Sequence, residues 1–314
     1  MNQTTAYVAY NRDSAIRQAS SSGGIFTALA SHIIAQGGVV FGACFDDGFQ
    51  VVHRKMETID DLAACRGSKY VKSDLGDSYQ QAKASLQQGV PVLFTGTPCQ
   101  IAGLYAYLDR AYHNLYTHDF ICHGVPLPAV WNRYLSHIQK EGACLCQLSH
   151  RDKIEGWKRF SLSRGYDDGT YIHQTLDKDP YLQAFLSDLC LLPSCYHCPH
   201  KGLHRPADLT LADAWGAEHY APHWDDDLGL SLILIHSPKG QSLLEAMAPH
   251  IAMEGVDIHQ ASRYNPSLTQ SAPVHPNGKR FLSDLDTYPF PQAVARNAKR
   301  PLAHRILRRL RHII

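Results

Sequence analysis

No stretch of this 314-residue chain approaches the ~18 consecutive apolar residues that a membrane-crossing helix needs, so no such helix is expected. Met1 to Gln18 lack the apolar centre of a secretory leader, which makes the cytoplasm the expected compartment. Net charge is nearly absent. Thirty Lys and Arg against 29 Asp and Glu leave +1, which supplies no global attraction to nucleic acid or to a membrane. Internal repeats and low-complexity segments are also missing. With 44% hydrophobic and 19% charged residues, long disorder is not expected, and the length suffices for one large domain or two modest ones.

What the chain does have is cysteine and histidine, nine of the first and 19 of the second. An odd number of cysteines in a reducing compartment argues against a disulfide framework and favours metal or cluster ligation by a subset. Cys195 and Cys198 form a CxxC pair, bracketed by Pro193 and Pro199, which keep it out of a regular helix. Alone, that pair fits a redox couple, half a zinc site or half an iron–sulfur site.

Read in order, Tyr7–Tyr10 forms a short strand, and Ser20-Ser21-Ser22-Gly23-Gly24 precedes a helical run beginning at Ile25. Hydroxyls and glycines at a helix start suit a phosphate or a flavin edge, or simply a capped turn; the motif is neither a Walker loop nor a dinucleotide fingerprint. Val39–Cys44 and Val51–Arg54 read as neighbouring strands. Gly67-Ser68-Lys69-Tyr70 follows a short helix near Cys65, with Lys69 able to reach a phosphate or only solvent. The strand ending at Phe94 breaks at Gly96-Thr97-Pro98-Cys99, and the strand 114–121 ends at Cys122-His123-Gly124. In a parallel sheet both cysteines leave on the same edge. Three further strands between residues 144 and 176 form a meander. Packing accounts for Cys44, and for Cys144 and Cys146 on one strand face; Cys65 and Cys190 lie in helical contexts.

Cys99, Cys122, Cys195 and Cys198 supply the four thiolates that a [4Fe–4S] cluster needs, although their spacing is not a ferredoxin run. Two alternatives stand beside this: zinc held by Cys195, Cys198, His200 and His204, or cysteines buried as small hydrophobes.

Six motifs in order, Ser20–Gly24, Gly67–Val71, Gly96–Gln100, Cys122–Pro126, Cys195-x-x-Cys198 and Asp208–Gly216, resemble the beta subunits of coenzyme F420 hydrogenases and dehydrogenases, especially bacterial relatives linked to polysaccharide biosynthesis. The resemblance spans Tyr7 to Gly216 clearly and the remainder loosely. It implies an α+β flavoprotein, a mixed-sheet domain with helices on its faces and an added strand meander. It further implies FAD and one [4Fe–4S] cluster, with electrons passing between an iron–sulfur donor and a two-electron acceptor. Cluster ligation falls to Cys99, Cys122, Cys195 and Cys198. FAD lies against Ser21, Ser22, Gly23 and Gly24, against Gly67, Ser68, Lys69 and Tyr70, and against Gly96, Thr97 and Pro98. Two departures qualify it. No cysteine precedes Cys44, so a separate ferredoxin-like protein or redox subunit is the expected donor, and Asp213-Ala214-Trp215-Gly216 carries alanine where phenylalanine is common. No residue identifies the small-molecule acceptor, deazaflavin or another. A non-catalytic electron-transfer subunit and a zinc-stabilised binding protein are the competing readings.

The expected organisation is an N-terminal part, 1–140, with the flavin loops and two cluster cysteines; a part 141–294 with the CxxC pair; and a basic tail, 295–314. The tail carries seven Lys and Arg and no acid. Its apolar residues fall on one helical face, suited to anionic lipid, an acidic partner or its own domain.

Overall fold

A computed structural model describes residues 4–299. Twelve strands form two sheets. The strands are β1 (Thr5–Asn11), β2 (Val39–Phe45), β3 (Val51–Met56), β4 (Ser73–Asp74), β5 (Val92–Gly96), β6 (Leu115–Phe120), β7 (Leu145–Asp152), β8 (Ser161–Tyr166), β9 (Tyr171–Thr175), β10 (Leu209–Asp213), β11 (Ser231–Ile235) and β12 (Ile251–Val256). The large sheet runs β12-β1-β11-β10-β6-β5-β2-β3-β4, and β7-β8-β9 form the separate antiparallel meander. Strands from both sides of residue 140 join the large sheet.

That sheet is mixed, as expected. β2, β5, β6 and β10 are mutually parallel, while β11 lies antiparallel between β10 and β1. Two reversals restore direction, so β1 points the same way as β10. The C-terminal ends of β1, β2, β5, β6 and β10 therefore all reach one edge, where loops of α/β sheets carry chemistry.

Alternation decides which residues face which layer. Val40 and Leu93 point into a core with Ile25, Leu29 and Ile33 of the helix Ile25–Ala35 and Leu243, Leu244 and Met247 of the helix Pro238–Met247. Their neighbours Val39, Phe41, Val92 and Phe94 point the other way, onto Leu86 of the helix Ser78–Gln87 and Ile101, Leu104 and Leu108 of the helix Pro98–Leu108. Each such side chain fully withdrawn from water contributes about 1.5–3 kcal/mol. The meander packs through Phe160 and Leu162 against Trp131, Tyr134 and Tyr181, joined by Phe281, Phe290 and Val294 from the last two helices, Gly278–Thr287 and Phe290–Asn297. Among the described residues no helix is long and apolar enough to cross a membrane. Ala295, Arg296 and Asn297 end the last helix; the basic amphipathic reading of the tail rests mainly on 300–314, outside the described residues.

Candidate functional site

The cysteines reach one edge by two routes. Cys99 sits exposed in the first turn of the helix Pro98–Leu108, behind a capping box in which the Thr97 amide donates to Gln100 Oε1 at 2.9 Å. Thr97 Oγ1 lies 3.0 Å from the Cys99 sulfur. Cys122 follows the end of the adjacent parallel strand β6 and is half-buried, and burial pushes its thiol up to about 12.

The CxxC segment, far away in sequence, is laid onto the turn after Cys122. Leu192 donates its amide to Val125 at 2.8 Å and Leu127 donates to Cys190 at 2.8 Å, forming a short antiparallel bridge between Pro126 and Leu191. Gly124 lies so close to this segment that a Cβ there would sit 2.7 Å from Leu191 Cδ1 and 3.5 Å from Cys195 Cβ. Cys198 is fixed by its own amide, which donates to Ser271 Oγ at 3.0 Å. Cys122 feels the charges of Cys99 and Cys195, and Cys195 those of Cys99 and Cys198, so the four thiols form one electrostatic neighbourhood. Among the described residues no three His, Cys, Asp or Glu side chains converge tightly enough to hold a single metal ion. That includes Cys195, Cys198, His200 and His204. A four-iron body takes its thiolates from well-separated corners, a looser requirement than the tetrahedral zinc shell.

Two cations flank this group. Arg205 and Asp119 pair at 3.1 Å with side chains 1% and 0% exposed, and Arg205 also donates to the Phe120 carbonyl at 2.9 Å. The loop behind the CxxC is thereby tied to the end of β6. Lys201 donates to the carbonyls of Cys122 at 2.6 Å and Ser267 at 2.7 Å.

The segments expected to meet a flavin lie on the same edge, and a buried arginine gathers three segments there. Arg151, on β7, donates to both oxygens of Asp213 at 2.8 and 3.2 Å, to Tyr70 Oη at 3.1 Å and to the Ser21 carbonyl at 3.1 Å. Its guanidinium centre lies 4.1 Å from the Phe160 ring centroid. Burial alone would lower its pKa, but the Asp213 carboxylate and Tyr70 hydroxyl overcome that and hold the charge. Trp157 stacks on Trp215 at 4.7 Å and donates to Asp213 at 3.1 Å. Tyr70 stacks on Phe185 at 4.5 Å, and both belong to the apolar cluster that includes Cys195. Tyr70, in a segment expected to meet a flavin, thus packs beside the cysteine group.

Much of the Ser–Gly loop's polar capacity is spent within the chain. Ser21 Oγ accepts the Ser68 amide at 2.5 Å, Ser22 Oγ donates to the Leu230 carbonyl at 2.8 Å, and the Gly23 amide donates to Ser231 Oγ at 3.0 Å. A Cβ on Gly23 would lie 2.4 Å from the Ala9 carbonyl oxygen. Protein packing therefore demands that glycine. Gly24 has φ +81°, a conformation that a side chain would strain. Lys153 adds three bonds, to the carbonyls of Arg17 at 2.6 Å, Leu228 at 2.8 Å and Ser22 at 3.1 Å, and burial lowers its pKa to about 8. Lys69 turns back on its own segment, donating to the carbonyls of Gly67 at 3.1 Å, Arg66 at 3.2 Å and Cys65 at 3.3 Å. At Gly67 the space is open: Ser21 Oγ, 3.9 Å away, is the nearest atom a Cβ would meet. Gly96, Thr97 and Pro98 are buried under the helix start.

The other cysteines divide. Cys44 and Cys190 are buried, whereas Cys144 and Cys146 are exposed, so packing does not account for that pair. β7 is the edge strand of its sheet, and Cys144 precedes it. His150, expected only as part of a joining segment, is fully buried among Trp131, Tyr181, Tyr70 and Phe45.

Two family models match the chain: the beta-subunit N-terminal domain of coenzyme F420 hydrogenase/dehydrogenase over residues 6–78 and the corresponding C-terminal domain over residues 90–260. The fold is similar to that of a chain in the xenon-derivatised F420-reducing [NiFe] hydrogenase complex from Methanosarcina barkeri, with TM-score 0.55 and 18% identity over 93% of this chain and 88% of that one. No curated protein matches.

Proposed function

The chain belongs to the coenzyme F420 hydrogenase/dehydrogenase beta-subunit family, and on that premise we propose a flavin- and [4Fe–4S]-dependent oxidoreductase that moves electrons between an iron–sulfur donor protein and a small two-electron acceptor. One observation carries the reading. Cys99 and Cys122 leave adjacent parallel strands at one sheet edge, and the Cys195–Cys198 segment is bridged onto the turn after Cys122, with Cys195 against Gly124. Cluster ligation is assigned to these four. FAD contact is assigned to Ser21–Gly24, Gly67–Tyr70 and Gly96–Pro98, where the open backbone at Gly67 offers an approach. The paired cofactors supply one-electron and two-electron chemistry in one protein.

The chain's own residues hold and separate these regions. Arg151 fixes Ser21, Tyr70 and Asp213 relative to one another, so the flavin loops cannot drift apart from the motif after β10. Tyr70, Phe185 and Leu191 pack in one apolar cluster with Cys195, so the proposed flavin segment abuts the cysteine group. Burial of Cys122 disfavours its charged form until a positive partner compensates it.

A cluster-bearing electron-transfer subunit without flavin is the second reading. The commitment of Ser21, Ser22 and Gly23 to the chain's own hydrogen bonds favours it. Anaerobic reconstitution followed by iron, sulfide and flavin analysis separates the two. Four irons and one FAD per chain are expected; iron without flavin selects the second reading, and neither iron nor sulfide defeats both.

A further inference from the structure

We propose that Lys201 is the fixed countercharge of the cysteine group and raises the reduction potential of the cluster held there. The inference rests on the cluster assignment above and deepens it.

Lys201 lies three residues beyond Cys198 in a half-buried position. Its ammonium is clamped between two carbonyl oxygens, that of Cys122 at 2.6 Å and that of Ser267 at 2.7 Å. One clamp is therefore the backbone of a ligand residue. From there it acts on the Cys122, Cys198 and Cys195 thiols together. Among the described residues no carboxylate pairs with it. Its neighbour Arg205 is already neutralised by Asp119, with both side chains withdrawn from water. A half-buried ammonium held only by neutral oxygens lacks a countercharge, and such an arrangement is costly unless an anion completes it. The thiols are the groups able to supply one.

The electrostatic consequence has a definite sign. Adding an electron makes the thiolate-bound cluster more negative, and a cation fixed beside three of its ligands stabilises that form more than the oxidised one. Burial strengthens the effect, because the field is only weakly screened there. Lys201 thus acts through the cluster's environment and is a positioning residue, not a catalytic one. Its flexible stem matters less than its place, so an arginine reaching the same carbonyls should serve.

The experiment compares wild type with Lys201→Gln, which keeps a side-chain amide donor but carries no charge, and with Lys201→Arg, which keeps the charge. Each is reconstituted anaerobically. Iron and sulfide are counted first, and the midpoint is then measured by mediated titration followed by electron paramagnetic resonance. At the wild-type midpoint the reduced-to-oxidised ratio should fall about tenfold in Lys201→Gln, a ~59 mV negative shift for one electron, while Lys201→Arg stays near wild type. Loss of iron in Lys201→Gln with retention in Lys201→Arg also supports the countercharge. A full cluster at an unshifted potential in Lys201→Gln overturns it. So does loss of iron in both variants, which would make the residue a geometric tether. A wild type without iron or sulfide overturns the cluster assignment itself, and the first measurement tells that failure apart.

Discussion

Replacing Arg205 by methionine should be among the most damaging single changes at the cysteine edge. The guanidinium donates to Asp119 Oδ2 at 3.1 Å, to the Phe120 carbonyl at 2.9 Å and to the His200 carbonyl at 3.4 Å. Methionine fills much of the space but leaves the Asp119 carboxylate buried with only neutral donors such as Thr210 Oγ1. Breaking one side of a buried pair costs about 3–5 kcal/mol. Burial already raises the Asp119 pKa despite Arg205, so loss of the cation raises it further. The penalty should therefore be largest at neutral pH, where the carboxylate must stay charged or take up a proton at a cost. It should shrink as pH falls and protonation becomes easier. Urea unfolding at pH 7 and pH 5 measures this through the midpoint, with the slope as a check that the unfolded state is unchanged. Arg205→Met with Asp119→Asn should recover most of the loss, because no charge is then stranded. A loss below about 1 kcal/mol, or a double variant as unstable as the single one, would refute the reasoning.

Three further outcomes follow from the same geometry. Gly23→Ala should destabilise the chain by about 1–3 kcal/mol through the clash with the Ala9 carbonyl, and thermal unfolding of cofactor-free protein checks that packing is the cause; an unchanged midpoint would refute the packing requirement. Lys69→Met should cost about 1.5–3 kcal/mol by removing a charged donor from the half-buried carbonyls of Cys65 and Arg66, with little change in the salt dependence of flavin retention; a strong salt dependence lost in the variant would show a direct anionic contact instead. Burial lowers the pKa of His118 and of His150 to about 3. The folded state thus resists protonation, and the stability each contributes is complete above the unfolded value near 6.5 and lost as pH falls toward 3. At pH 5 each costs about 2 kcal/mol relative to pH 7, opposed by Asp119 and Asp179, whose raised pKa values work in the other direction. His118→Leu should therefore narrow the gap between pH 7 and pH 5 unfolding midpoints, and an unchanged gap would exclude the histidine as its source.

The strands and helices around the site were readable because alternation and helix starts are local. Val39–Phe41 and Val92–Phe94 are short apolar runs that read as buried strands, and Thr97-Pro98 announces a helix start. The common exit of Cys99 and Cys122 followed from parallel strands, a relation that two apolar runs with intervening helices suggest. Other features depend on pairs more than 60 residues apart. Arg151 meets Ser21, Tyr70 and Asp213 only because the meander folds over the sheet edge, and no spacing within β7 encodes that meeting. The packing that requires glycine at position 23 is not legible in sequence, because its partners, Ala9 and Ser231, lie on strands whose adjacency is tertiary. Cys144 and Cys146 failed for another reason. Periodicity assigns a strand face but not whether anything covers it, and β7 is an edge.

Charge beside the CxxC pair is partly legible in the sequence. The segment after the CxxC carries Lys201 and Arg205 with no acid before Asp208, so two cations follow two thiols within seven residues of Cys198. Sequence alone does not say which cation is spoken for. The fold resolves it by subtraction: Asp119, arriving on β6, takes Arg205, and no carboxylate reaches Lys201 among the described residues. An uncompensated cation beside a set of ionisable sulfurs favours anionic sulfur there, which CxxC spacing alone does not show. Spacing constrains only where the sulfurs are, whereas the lysine's missing countercharge constrains the charge they carry.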